Sequence, residues 1–172
     1  VRAVIHVRNA LGWNPTTIEN LPTRLMCVVS ELDEFEDALA VPESGRCYDR
    51  GHASEELADV AMYLICALDD LWRDRWGARA LHPFPSPHQA PGQLTKPVRH
   101  EVVRAMQSWR LVESPWRLAD TCICLELALR NVMRIAVSLG FGLEAAIYAK
   151  VRVLERRLLD RGPRSGGKHP DS

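Results

Sequence analysis

Apolar residues recur every three or four positions along most of the chain, and no run alternates apolar and polar residues between hairpin turns. The pattern predicts an all-α protein. Val4, Ile5, Val7 and Leu11 mark a short helix over 1–12, closed by Gly12. Trp13-Asn14-Pro15-Thr16-Thr17 is a turn, and the next helix is expected from Thr17 to Ala40, bent at Pro22 and broken by Pro42 to Arg46. Ser54 has the chemistry of an N-cap for a third helix, with Glu55 and Glu56 in its first turn, running through Leu68 to about Trp76.

Five prolines, at 83, 85, 87, 91 and 97, exclude regular structure and predict a long loop over 77–97, placed to line or cover a site. Helical periodicity resumes from Glu101 to about Val112, again from Trp116 to Leu139 before Gly140, and finally from Leu143 to Leu159. The expected architecture is one domain over 1–161, a bundle of five to six helices, followed by a flexible tail over 162–172. Several helices are apolar over so much of their surface that packing two copies together would bury more of it.

The polar positions that interrupt this pattern carry the candidate chemistry. Glu31 and Glu34 are three apart on one helix, and Glu56 and Asp59 are three apart on the next, so each helix offers two carboxylates from one face. Acids at this spacing commonly form a solvated face. Here, however, Asp59 is the one charge between Leu57 and Cys66, and Leu25 to Val29 places the first pair beside an apolar run. Carboxylates gathered at the edge of a core stay ionised only with a cation, and oxygen-only ligands suit Mg²⁺ first and Mn²⁺ second.

An E-x-x-E helix followed after a moderate spacer by an E-E-L-A-D-V helix resembles the MazG-type all-α nucleoside triphosphate pyrophosphatases. The resemblance implies that Glu31, Glu34, Glu56 and Asp59 bind Mg²⁺, with Glu34 also assigned to the catalytic machinery. It implies hydrolysis of a (deoxy)nucleoside triphosphate to monophosphate and pyrophosphate, in nucleotide-pool cleaning, by a homodimer or homotetramer. Lys150 and Arg157, on one face of the last helix, match the family's phosphate-contacting cations. The run Arg161-Gly162-Pro163-Arg164-Ser165-Gly166-Gly167-Lys168 is similar to the family's tail, so Arg161 competes with Arg157 for that role. Trp13 is similar to an aromatic that some members carry before the first motif, in position to stack on a base.

Two departures from the family pattern stand out. Ser30 occupies the position of a glutamate linked to water activation, and Leu154 stands where an asparagine is expected. Both favour the second reading, a nucleotide-binding or regulatory module of the same fold with weak turnover or none. A carboxylate di-iron bundle would require Glu-x-x-His motifs, and none of the six histidines has a glutamate three residues before it. A purely structural helical dimer would show no effect of Mg²⁺ on stability.

Composition narrows the classes further. Lys+Arg and Asp+Glu are both 22, giving zero net charge, which argues against a sequence-independent nucleic-acid binder. Five cysteines without metal-type spacing, four of them in apolar helical runs, read as small hydrophobes in a reducing, cytoplasmic compartment. No stretch has the length of a membrane span.

One internal echo remains. Leu57 to Leu64 (L-A-D-V-A-M-Y-L) resembles Leu118 to Leu125 (L-A-D-T-C-I-C-L), with Arg117 standing where Glu56 stands. Either a helical pair was duplicated and its second copy lost the metal ligands, or two amphipathic helices converged. The brevity of the match favours convergence.

Overall fold

The computed structural model describes residues 1–40, 48–76, 93–110 and 115–160. They form six α-helices and no strand: α1 (Arg2–Ala10), α2 (Leu21–Leu39), α3 (Arg50–Trp76), α4 (Lys96–Trp109), α5 (Pro115–Leu139) and α6 (Leu143–Asp160). None of these helices is long and apolar enough to cross a membrane.

The third helix is the column on which the rest is built, packing against α1, α2, α5 and α6. Between Glu56 and Leu68 only Asp59 and Tyr63 escape full burial. An all-round apolar helix of this kind is stable only at the centre of a core. The α2 helix meets it with Leu21, Leu25, Val28, Leu32 and Phe35, the alternating three- and four-residue spacing of one helical stripe. The two most extensive helix–helix contacts are α2 with α3 and α4 with α5, and α4 is tied back to α2. Arg99 provides that tie, donating to Asp33 at 2.6 Å and Glu36 at 3.0 Å.

Local chemistry sets the helix ends, in places differently from expectation. Asp49, not Ser54, caps α3, its Oδ1 accepting from the His52 N–H at 3.0 Å. Ser54 lies inside the helix. Pro22 bends nothing: it sits in the first turn of α2, where a missing N–H is harmless. The same physics corrects the proline-rich loop at its far end, because Lys96 and Pro97 belong to the first turn of α4 rather than to the loop. Residues 77–92 of that loop, the break over 42–46 and the tail over 162–172 lie outside the described residues.

Two helices end in the same way. Gly12 and Gly140 have φ of 67° and 66°, and each is followed by a residue whose N–H reaches back to a carbonyl five positions earlier. Only glycine enters that left-handed conformation without strain. At the second of these turns Arg50 donates to the Gly140 carbonyl at 2.5 Å and lies over the Phe141 ring, fastening the start of α3 to the α5–α6 corner. The α1 helix is held to α3 by a buried ion pair, Arg8 Nη1 to Asp70 Oδ1 at 2.6 Å, with Asp69 at 3.8 Å.

Candidate metal centre

Because α2 packs along α3, Glu31 comes to face Glu56 and Asp59. One carboxylate oxygen from each of the three lies within 4.8 Å of the others. Glu56 is buried, while Glu31 and Asp59 are half-buried. The repulsion is visible in the protonation of Glu31, pushed up to about 7 by burial first, then by the charge of Asp59, a hydrogen bond with Glu56 and the charges of Glu34 and Glu56. Burial likewise raises Asp59 from its ordinary value, although the hydrogen bond and charge of Lys150 oppose the shift.

This ion pair joins α6 to α3: Lys150 Nζ contacts Asp59 Oδ2 directly. Burial alone would lower the lysine, but the hydrogen bond and charge of Asp59, with Glu56 and Glu55 behind it, leave it raised. Among the described residues, the centre therefore brings together three converging carboxylates and the Lys150 ammonium. Three oxygen donors carrying more negative charge than their surroundings compensate are the donor set that a hard divalent cation takes. The residues present can hold a metal ion.

The remaining expected site residues fall around this centre or away from it. Glu34, one turn along α2 from Glu31, is exposed and outside the close group, though its charge still reaches Glu31. Arg157 is exposed in the last turn of α6, two turns beyond Lys150 on the same face. Arg161 lies outside the described residues. Trp13 is partly exposed at the mouth of a small cleft shared with Asn14, Arg24 and Tyr63. The cleft encloses about 10 Å³, the space of one water molecule, so Trp13 stands against its neighbours rather than over an open base site.

Two residues join the centre that the sequence reading passed over. His52 Nδ1 is 3.2 Å from Glu56 Oε1, one turn before it on α3. Tyr63, one turn after Asp59, lines the Trp13 cleft and also feels the carboxylates. Its phenol is pushed up to about 12, by burial first and then by the charges of Cys27, Glu31 and Asp59. Both lie four residues from a motif acid, and that spacing was the available signal.

A separate cavity of about 390 Å³ lies between α1, α3, α5 and α6, lined by side chains such as Ile65, Leu129 and Phe141 and by none of the three carboxylates. Comparison of the chain with protein-family models, with curated proteins and with solved structures returned no match.

Proposed function

We propose that the protein is a Mg²⁺-dependent nucleoside triphosphate pyrophosphohydrolase of the MazG-like kind, with Mn²⁺ able to substitute. The observation that carries this reading is the convergence of Glu31, Glu56 and Asp59 from two helices beside Lys150. Bound Mg²⁺ neutralises phosphate charge and acidifies water. The chain's own residues supply the rest. Glu31, Glu56 and Asp59 are the oxygen ligands. His52 beside Glu56 fixes the orientation of that carboxylate, as ligand-supporting groups do. Lys150 and Arg157 continue one cationic face along α6 and are suited to a triphosphate chain.

Glu34 takes the catalytic role. It is exposed to solvent one turn from Glu31, so it can accept the proton of a water attacking the α-phosphorus, as the bond to the bridging oxygen breaks and pyrophosphate departs. Trp13 and Tyr63 line the small cleft together, Tyr63 within reach of the charges of Glu31 and Asp59, and a base would enter by opening that cleft. The reading includes a homodimer or homotetramer, supported by exposed apolar side chains on neighbouring helices, Val103 on α4 and Ile123 and Leu127 on α5. Sedimentation equilibrium tests that part.

The activity is tested by measuring pyrophosphate release from eight (deoxy)nucleoside triphosphates with Mg²⁺, wild type beside Glu56→Gln. Release from one or a few substrates, reduced more than about a hundredfold in the variant, is expected. Nucleotide binding that depends on Mg²⁺ but gives no release would favour the non-hydrolysing module, for which Ser30, exposed where a water-activating glutamate is expected, is the supporting observation. Absence of both would overturn the reading.

A further inference from the structure

The echo between Leu57–Leu64 and Leu118–Leu125 is accompanied by a similar pattern of buried positions in the two helical pairs, α2–α3 and α4–α5. Leu32 and Phe35 of α2 are fully buried, and so are Val102 and Ala105 of α4. Glu31 and Glu101 precede these pairs in the same register, and both are half-buried. On the second helix of each pair, Val60, Ala61 and Leu64 are fully buried in α3, as are Thr121, Cys122 and Leu125 in α5. These are also the two most extensive helix contacts of the fold. On this partial match of register, in which Leu118 and Ile123 are less buried than Leu57 and Met62, the α4–α5 pair reads as a degenerate repeat of the α2–α3 pair.

The repeat assigns a counterpart to each carboxylate. Glu31, Glu34, Glu56 and Asp59 correspond to Glu101, Arg104, Arg117 and Asp120. Tyr63 corresponds to Cys124, which feels the charges of Glu101 and Asp120 behind the larger effect of its own burial, as Tyr63 feels Glu31 and Asp59. Four negative charges in the first copy become two of each sign in the second, so the need for a metal ion is gone. Arg104 is 3.1 Å from Glu101 and partly exposed, with donors to spare, since a guanidinium carries five. At this place the two helices leave a cavity of about 200 Å³ lined by Arg104, Gln107, Ser108 and Arg117, and neither Glu101 nor Asp120 lines it.

We infer that the α4–α5 pair carries a second, metal-independent site that binds a phosphate-bearing anion between Arg104 and Arg117, with Ser108 and Gln107 as neutral donors. Among the described residues, the charged groups facing the cavity are both guanidiniums, the side chain whose fork of donors matches phosphate oxygens. In the first copy a bound cation is needed to draw a phosphate towards carboxylates. In the second the cation is part of the chain. The site does not depend on turnover at the carboxylate centre.

The test uses inorganic pyrophosphate and the full chain in EDTA, so that no metal site contributes. Calorimetry should give saturable binding, and arginine Nε–Hε signals of Arg104 and Arg117 should shift in ¹H–¹⁵N spectra. Arg104→Gln and Arg117→Gln should each weaken binding about tenfold or more, the usual consequence of losing a charged hydrogen-bond donor, and the double variant should abolish it. Both side chains are solvent-accessible, so the variants are expected to fold, and backbone spectra check that they do. Absence of saturable binding by the wild type overturns the inference. So does binding that survives in the double variant, or that shifts signals around Lys150 and Arg157 while leaving Arg104 and Arg117 unmoved.

Discussion

Lys150 on α6 and Asp59 on α3 are in direct ionic contact, so the ammonium occupies one of the carboxylates that would ligate a metal ion. Metal binding at Asp59 must therefore compete with Lys150. Lys150→Met should bind Mn²⁺ about fivefold more tightly at pH 8, the affinity equivalent of removing a partly exposed ion pair. The same variant should bind nucleoside triphosphate more weakly, because the phosphates lose a cation. Mn²⁺ titration followed by electron paramagnetic resonance separates the two effects, and unchanged Mn²⁺ affinity would show that the pair does not guard the site.

Glu31 gives the metal-free protein a defined pH dependence. Its carboxyl titrates near 7 in the folded state against an ordinary value of 4.5. Between those values the folded chain binds more protons than the unfolded one, so this group's contribution to stability falls as pH rises through the window and levels off above it. Glu31→Gln stays neutral and removes that fall. Relative to wild type, the variant should gain stability steadily from pH 4.5 to 7.5 in urea unfolding with EDTA present, and a constant difference would contradict the assignment.

Asp70 is a stability residue rather than a site residue. Its two oxygens take the Arg8 guanidinium at 2.6 Å and the Thr16 N–H at 2.7 Å, and both charged side chains are buried. Asp70→Ala leaves the buried Arg8 guanidinium to the more distant Asp69 at 3.8 Å and leaves a backbone donor open. The expected loss is about 3 kcal/mol by chemical denaturation, with Trp13 fluorescence altered as its turn loosens. A loss below about 1 kcal/mol would mean that water reaches Arg8 readily.

At the α5–α6 corner, Gly140→Ala should cost about 1 kcal/mol. The added Cβ must enter a left-handed backbone at φ 66° and meets the Arg50 guanidinium at 3.1 Å. Thermal unfolding measures the effect. Gly142→Ala, where a Cβ meets Ala145 at an ordinary 3.6 Å, is the matched control and should be close to neutral.

The helices and the carboxylate pairs were legible in the sequence because both depend on local spacing. Leu21 to Phe35 announce one face of a helix whatever surrounds it, and Glu56 and Asp59 share a face for the same reason. What spacing cannot encode is which other element arrives. Asp49 and Ser54 both have capping side chains, and the choice between them turned on where α3 meets the α5–α6 corner through Arg50. Pro97 was ambiguous because proline both breaks helices and starts them. Lys150 was assigned to phosphate by resemblance, and nothing in its neighbours on α6 foretold the contact with Asp59, more than ninety residues earlier. Leu57 to Asp59 and Leu118 to Asp120 are identical in sequence, yet the helices that arrive decide their burial, and Leu118 and Ile123 are less buried than Leu57 and Met62.

The central position of α3 has a consequence for how the molecule responds to its ligands. Glu56 and Asp59 sit within the same few turns as Leu57, Val60 and Leu64, which anchor the core. Site and core are thus one cooperative unit. An ion held by those acids should slow hydrogen exchange along the whole of α3 and in the helices packed on it, including amides that never approach the ion. Conversely, a cavity opened in the core by trimming Leu64 should be felt first as poorer ion binding, before the fold itself gives way.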